Sequence, residues 1–143
     1  MTVTAIDTSV IVAALLGWHE SHEPALNSLI DVSMGGLVVP APALTGAYSV
    51  MTRLPAPHRL APADAFELLS GSFEQRATVV GLTEKETWRF LRDTAGRSVA
   101  GGSTYDALIL ACARKAGATR VLTLDRRDFM RLETGKIEIV VPA

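Results

Sequence analysis

The chain has 143 residues, a hydrophobic content of 48% and a formal net charge of −1. This length favours one domain with a sizeable core, and this composition excludes an intrinsically disordered chain. A nearly neutral chain has no global field that attracts nucleic acid, so a nucleic-acid substrate would need a local basic rim, a bound cation or both. The single cysteine, Cys112, excludes an intramolecular disulfide and a cysteine-based zinc cluster.

The sequence carries no sign of a membrane segment. No apolar run reaches the roughly 18 residues that a membrane span requires. No basic stretch precedes the apolar N-terminal segment, which makes that segment a poor signal peptide. We therefore expect a cytoplasmic protein without a membrane partner.

The N-terminal segment predicts a buried strand that ends in a carboxylate. Residues 3–6 are apolar and mostly β-branched, Asp7 forms a turn, and a helix follows to residue 16 with Thr8 or Ser9 as its N-cap. A lone carboxylate at the end of a buried strand needs donors, a cation or water. Taken alone, Asp7 could also be a turn residue that accepts backbone N–H bonds.

The remaining elements alternate between helices and strands. Helices are predicted at 21–34, 41–54, 63–70, 83–95 and 104–116, strands at 37–39, 77–81, 120–124 and 136–141, and a helical turn at 128–132. We expect the apolar side chains of Phe66, Leu69, Trp88 and Leu91 to face the core. Thr83 and Glu86 predict a capping box, and Gly117 follows the end of the helix 104–116. This order predicts a single α/β domain over residues 1–143, with three layers and a mostly parallel sheet of about five strands.

Three carboxylates are predicted to share one edge of that sheet. Asp7 and Asp125 follow strands, and Asp106 lies in the first turn of a helix that is apolar nearly all round. In a parallel sheet the carboxyl ends of strands meet the starts of the following helices. Such carboxylates repel one another and raise one another's pKa unless a hard cation neutralises them. Mg²⁺ suits an all-oxygen site, Mn²⁺ is a plausible substitute, and the implied chemistry is metal-assisted phosphodiester hydrolysis.

Each carboxylate also has an interpretation that needs no metal. Ser103 to Asp106 fits a capping box with Ser103 as the N-cap, and Asp125 fits an ordinary turn. Asp128 fits a cap for the turn at Phe129 better than an outer acidic group of the site. The three interpretations together are less convincing than each is separately, because they leave the clustered charge unexplained.

Four arginines form a candidate basic rim for a phosphate backbone: Arg126, Arg127 and Arg131 near Asp125, and Arg97 on the glycine-containing loop 96–102. Each alone is more often a solvated surface charge. Three histidines show no metal-ligand spacing and remain unassigned: His19, His22 and His58.

Four segments resemble the PIN-domain ribonucleases, and specifically the VapC-type toxins of bacterial type II toxin–antitoxin systems: residues 5–10, 42–54, 105–111 and 121–129. Their order and spacing and the chain length agree with that family. The resemblance implies a PIN-like fold, with Asp7 and Asp106 as the principal Mg²⁺ ligands, Asp125 completing the acidic cluster and Thr123 supporting it. It also implies cleavage of structured RNA such as tRNA or rRNA, a homodimer, and a cognate VapB-type antitoxin that docks on the apolar surfaces of residues 9–16, 21–34 and 41–54.

One position departs from the family pattern, which places a glutamate where this chain has Gly46. A mid-helix glycine costs roughly 1 kcal/mol relative to alanine, so helix propensity does not favour it. Our hypothesis is that Gly46 attenuates the enzyme, either as an introduced change or as one selected because an active toxin harms its expression host. Two alternatives remain: a PIN-like module that binds RNA or protein without cleaving, and a phosphatase with Asp7 as nucleophile. The absence of a second aspartate two positions after Asp7 weakens the phosphatase hypothesis.

Overall fold

A parallel β-sheet forms the centre of the fold in the computed structural model, which describes residues 2–32 and 34–143. Its strands are β1 (Thr4–Ile6), β2 (Leu37–Pro40), β3 (Thr78–Val80), β4 (Arg120–Leu122) and β5 (Glu138–Val140). The sheet is five-stranded, in the order β3-β2-β1-β4-β5, and all neighbouring strands are parallel. Strands β1 and β2 are buried at every position, as expected where both faces of a parallel sheet are covered. The predicted α/β fold is confirmed.

The helices of the described residues are α1 (Thr8–Leu15), α2 (His22–Ile30), α3 (Ala41–Thr52), α4 (Pro62–Phe73), α5 (Glu84–Gly96), α6 (Ser103–Lys115) and α7 (Arg126–Met130). The predicted domain begins at Met1 and the predicted helix 21–34 includes Ser33; both residues lie outside the described ones. Helix α2 ends at Ile30, before the predicted end, and α4 continues past Gly71 to Phe73. None of the helices within residues 2–32 and 34–143 combines the length and apolar character needed to cross a bilayer.

The topology creates a crevice between β1 and β4. From β1 the chain moves to β2 and then β3 on one side, and it returns through α5 and α6 to β4 on the other side of β1. The strand order therefore reverses between β1 and β4. Open α/β sheets bind their ligands at such a point, beyond the carboxyl ends of the strands.

The capping predictions have different outcomes at α5 and α6. The capping box of Thr83 and Glu86 is confirmed, with hydrogen bonds of 3.2 Å and 2.8 Å between side chain and backbone. The box predicted from Ser103 to Asp106 is wrong, because Gly102 is the N-cap and no side chain caps this helix. The N–H groups of Thr104 and Tyr105 instead donate to the carbonyls of residues 101 and 102. Asp106 is thereby left free of a capping role.

The outer helices bury less apolar surface than predicted. Leu69 is buried, but Phe66 and Trp88 are each 61% exposed and Leu91 is 44% exposed. Among the described residues of helix α5, Thr94 is the one that is buried. The side of α5 that carries Thr94 therefore faces the protein, and the side that carries Trp88 faces solvent. The spacing of apolar residues identified a helical stripe without identifying which side of the helix has a neighbour.

Gly117 is expected to be required for the turn between α6 and β4. Its φ is +74°, and a Cβ built there meets no atom within 4 Å, so Gly117→Ala should cost roughly 1–2 kcal/mol of unfolding free energy by backbone strain alone. The matched control is Gly71→Ala, inside α4 and also without a neighbour within 4 Å, which should stabilise by about 1 kcal/mol. Urea denaturation measures both, and a shift of the two variants in the same direction would contradict this account.

Candidate active site

Asp7 is held at the junction of β1 and α1 by three donors. Its Oδ1 accepts hydrogen bonds from the Ser9 hydroxyl at 2.5 Å and from the Val10 N–H at 3.2 Å, and its Oδ2 accepts one from the Thr123 hydroxyl at 2.6 Å. The carboxylate is almost buried, with 4% exposure. The predicted N-cap at Thr8 or Ser9 is therefore wrong, and Asp7 itself is the N-cap of α1. The Thr8 hydroxyl instead donates to the Ala43 carbonyl, and the Ser9 hydroxyl donates to Asp7.

The hydroxyls of Ser9 and Thr123 connect the end of β1 to the segment after β4. Ser9 Oγ accepts from the Leu124 N–H at 3.0 Å, and Thr123 Oγ1 accepts from the Asp125 N–H at 2.9 Å. Each hydroxyl thus donates to Asp7 and accepts from the β4 side. Asp7 and Asp125 are fixed relative to each other by two short side chains.

The three predicted carboxylates line one cavity of about 330 Å³. Asp106 comes from the first turn of α6, Asp7 directly follows β1, and Asp125 lies three residues after the end of β4. The other lining residues are Thr8, Ser9, Val12, His19, Val50, Tyr105 and Ile109. Of these described lining residues, none is a lysine or an arginine, so no cationic side chain of the lining offsets the carboxylates.

Burial and mutual repulsion raise the pKa of two of these carboxyl groups. Burial raises the pKa of Asp7, with the nearby charge of Asp125 adding to it and the hydrogen bonds from Ser9, Thr123 and Val10 opposing it. Burial, followed by the charges of Asp128, Asp7 and Asp125, raises the pKa of Asp106 to about 6. Asp128 therefore belongs to the electrostatic environment of the site. It does not cap α7, whose N-cap is Asp125.

The predicted basic rim is divided between two regions. Arg126 and Arg127 open α7 immediately after Asp125, and Arg131 ends it, 4.0 Å from the carboxylate of Asp128. Arg97 lines a different cavity, of about 450 Å³, beside α5 and α6. None of the four predicted arginines is among the described residues that line the carboxylate cavity, and three of them lie in α7 or at its end, after Asp125.

The PIN domain model matches residues 4–134 of the chain. The chain belongs to the PIN domain family. It is 38% identical over 136 residues to ribonuclease VapC40 of Mycobacterium tuberculosis strain CDC 1551 / Oshkosh, a match that covers 94% of this chain and 96% of the relative. It is 33% identical over 141 residues to ribonuclease VapC27 of strain H37Rv, covering 97% of this chain and 96% of the relative.

Solved structures of other PIN domains share the fold at low sequence identity. M. tuberculosis VapC20, described as a sarcin-ricin loop cleaving toxin, superposes with a TM-score of 0.71 at 14% identity over 93% of this chain and 98% of its own. The DNA-bound VapBC complex of Salmonella typhimurium contains a chain with a TM-score of 0.69 at 16% identity, and the match covers 100% of both chains. The resemblance to VapC-type PIN domains is confirmed.

The donor set of this PIN domain fits a hard divalent cation. Within residues 2–32 and 34–143, no three His, Cys, Asp or Glu side chains are arranged to hold a metal by themselves. Mg²⁺ does not require that, because it is usually held by one or two carboxylates and keeps several waters. Asp7 and Asp106 provide two carboxylates on a cavity large enough for those waters, with Asp125 and Asp128 adding negative charge nearby.

Position 46 adjoins this cavity through Thr8. A Cβ built on Gly46 lies 2.7 Å from the Thr8 hydroxyl oxygen, which is closer than real Cβ contacts. Thr8 itself lines the cavity. A side chain at position 46 would therefore begin beside the site, but only after Thr8 had moved.

Sequence reasoning missed three residues of the site. Ser9 is predicted only as a helix cap, but its separation of two residues from Asp7 is the signal for a side chain that can reach back to it. His19 had no recognisable spacing, since it lies in the turn after α1. Tyr105 lines the same cavity, and the available signal is that it directly precedes Asp106 in the first turn of α6.

The metal-free protein should lose stability as pH rises through the pKa of Asp106. The folded-state pKa is about 6, above the ordinary value of 3.8, so the folded state binds more protons between these values. Asp106→Asn removes this group, so it should raise the Tm in EDTA by a few degrees near pH 7.5 and by less near pH 4.5. Asp64→Asn, an exposed carboxylate of α4, is the control. An equal increase in Tm from Asp106→Asn at both pH values would contradict the raised pKa of Asp106.

Proposed function

We propose that this PIN domain is a Mg²⁺-dependent endoribonuclease, the toxin of a type II toxin–antitoxin pair, which hydrolyses phosphodiester bonds in structured cytoplasmic RNA such as tRNA or rRNA. The observation that carries the proposal is the convergence of Asp7, Asp106 and Asp125 on one cavity without a lining cation. The identity of 38% to ribonuclease VapC40 over nearly the whole chain supports the same activity.

In this proposal Asp7 and Asp106 hold the metal, Mg²⁺ or in its place Mn²⁺, and Asp125 completes the acidic cluster. A bound divalent ion supplies charge stabilisation at the phosphoryl group and lowers the pKa of a coordinated water. Ser9 and Thr123 orient Asp7 by donating to its two oxygens, and these hydrogen bonds oppose the larger effect of burial, which raises the pKa of Asp7. Arg126 and Arg127 hold the backbone phosphates, which positions the RNA without reading its sequence.

The proposed partners are a cognate VapB-type antitoxin and a second copy of the chain. The fold shared with the VapBC complex of S. typhimurium supports the antitoxin. Ile30 and Met34, at and after the end of α2, are 62% and 83% exposed, so this part of the molecule presents apolar surface that a partner would cover.

The decisive experiment compares cleavage of purified tRNA and rRNA in Mg²⁺, in Mn²⁺ and in EDTA. We expect cleavage with either metal, none in EDTA, and a loss of at least a hundredfold in Asp106→Asn. Glu67→Gln, which removes one exposed carboxylate from α4, should retain full activity. Cleavage that persists in EDTA, or full activity in Asp106→Asn, would exclude the proposed mechanism.

A second candidate function, RNA or protein binding without cleavage, is favoured by Gly46. This position lacks the carboxylate of the family pattern, and the space for its Cβ is taken by Thr8. In the same experiment this function predicts RNA binding without products in Mg²⁺. The phosphatase alternative is disfavoured because Ser9, and not a second aspartate, stands two positions after Asp7.

A further inference from the structure

An exposed aromatic pair lies next to the candidate active site. Trp18, in the turn between α1 and α2, stacks on His58, in the segment between α3 and α4. The ring centroids are 4.1 Å apart and the ring planes differ by 27°. The indole is 49% exposed, so one part of it is packed on the imidazole while another part faces solvent. The pair is therefore an ordered and accessible aromatic surface.

This surface is continuous with the cavity that holds the carboxylates. The ring of His19 lies 5.9 Å from that of Trp18, and His19 lines the cavity together with Asp7 and Asp106. His19 Nδ1 accepts a hydrogen bond from the Ser21 N–H at 3.0 Å, which places the proton of the neutral ring on Nε2. His19 thus joins the aromatic pair to the cavity and carries a donor on its second nitrogen.

The segment of His58 carries two cations that suit a polyanion, while the turn of Trp18 carries one exposed carboxylate, Glu20. Arg53 and Arg59 are exposed in the same segment as His58, and Arg59 is fixed by a hydrogen bond of 2.8 Å from its Nε to the Leu54 carbonyl. Aromatic rings among cations are the pattern by which proteins bind unpaired nucleotides, because every base has a π-face and every linkage has a phosphate.

We propose that the Trp18–His58 pair, adjoining the Asp7–Asp106 cavity through His19, is a stacking platform for one unpaired base of the RNA, close to the phosphodiester that is cleaved. This inference rests on the proposed function, which assigns RNA to the cavity, and it adds a requirement. The cleaved phosphodiester must lie in a loop, bulge or end whose neighbouring base can leave the helical stack.

The test uses the intrinsic fluorescence of the two tryptophans of the chain. Trp88→Phe leaves Trp18 as the only indole, and Trp18→Phe leaves Trp88, which is 61% exposed on α5, as the matched control. Each full-length variant is titrated in EDTA, so that no RNA is cleaved. The probes are a single-stranded RNA oligonucleotide, the same length of RNA duplex, and an abasic ribose-phosphate chain of that length.

We expect the single strand to quench the emission of Trp18 and to leave that of Trp88 unchanged, while the duplex and the abasic chain quench neither. Trp18→Ala should weaken single-strand binding by roughly 5- to 150-fold, the range for loss of one base–aromatic stack, and Trp18→Phe by less. A Tm equal to that of the parent establishes that Trp18→Ala is folded. If Trp18→Ala does not fold, the weaker single-strand binding of Trp18→Phe provides the test.

Absence of Trp18 quenching by the single strand, or equal quenching by the abasic chain, would overturn the inference. The inference would also be overturned if the emission of Trp18 changed with protein concentration and not with RNA. That result would assign the pair to a contact between copies of the chain. Quenching of Trp18 in a protein that fails to cleave RNA in Mg²⁺ would overturn the proposed function and support the platform. Metal-dependent cleavage with an unquenched Trp18 would support the proposed function and overturn the platform.

Discussion

Asp7→Asn is expected to lower RNA cleavage in Mg²⁺ by roughly a thousandfold, because the bound ion contributes several kcal/mol to stabilising the charge that develops on the phosphoryl group. The amide has nearly the shape of the carboxylate, and its oxygen can still accept from Ser9 and the Val10 N–H. It lacks the negative charge that holds a cation. The loss should therefore appear as a loss of both metal affinity and cleavage.

The stability of this variant distinguishes a lost ligand from a lost fold. Burial disfavours the ionised form of Asp7, so removing the charge relieves a cost in the metal-free protein. Against this, the Thr123 hydroxyl is fully buried and loses its acceptor if the amide nitrogen faces it. We expect a Tm in EDTA within a few degrees of the parent, and a smaller increase of that Tm when Mg²⁺ is added.

Thr123→Val separates holding the metal from orienting the ligand. Valine keeps the volume of the side chain, but it removes the donor to Asp7 Oδ2 and the acceptor of the Asp125 N–H. Removal of a group that orients a metal ligand typically costs 10–100-fold in metal affinity or activity, so this variant should fall between the parent and Asp7→Asn. Full activity in Asp7→Asn, with Glu67→Gln as the equally charged control, would exclude Asp7 as a ligand.

The place of the site could be predicted because it follows from the sheet. Once β1 and β4 are parallel and adjacent, Asp7 and Asp125 must emerge at the same edge, and no side-chain detail is needed to bring them there. Asp106 follows from the same rule, since it begins the helix that leads into β4. The acidic cluster is thus a consequence of chain order and strand direction.

The contacts that fix the cluster could not be predicted, because they join residues that are distant in sequence. Whether Ser9 caps α1 or instead connects Asp7 to the Leu124 N–H depends on the exact height of α1 above β4. A pattern within residues 7–10 contains no information about that height. The prediction at α6 was wrong for a related reason, since the turn carbonyls of residues 101 and 102 compete with the Ser103 hydroxyl for the first helical N–H groups.

Gly46→Glu is expected to raise Mg²⁺-dependent cleavage above that of Gly46→Ala by at least about tenfold, the scale on which supporting groups of a metal site act. Gly46 lies in α3 beside Thr8, at the edge of the cavity that holds Asp7, Asp106 and Asp125. A glutamate there would add a fourth carboxylate to the site that holds the cation. Its side chain is long enough to pass Thr8 once the Cβ has been accommodated.

Gly46→Ala is the necessary control, because any residue other than glycine must displace Thr8. The Thr8 hydroxyl oxygen would lie 2.7 Å from the new Cβ, and rotating that side chain away breaks its 3.1 Å hydrogen bond to the Ala43 carbonyl. Alanine has this steric effect and gains about 1 kcal/mol of helix propensity, as glutamate very nearly does. The ratio of the two variants therefore isolates the carboxylate.

Combining each variant with Thr8→Ser tests whether Thr8 limits the gain. Serine has no γ-methyl group, so its hydroxyl can turn away from position 46 more freely than that of the β-branched threonine. If the clash with Thr8 keeps the glutamate from reaching the site, Gly46→Glu with Thr8→Ser should cleave RNA faster than Gly46→Glu alone. Gly46→Ala should cleave at the same rate with and without Thr8→Ser. Equal cleavage by the glutamate and alanine variants in both backgrounds would mean that Gly46 does not attenuate the enzyme, and that Asp7, Asp106 and Asp125 form the complete acidic site.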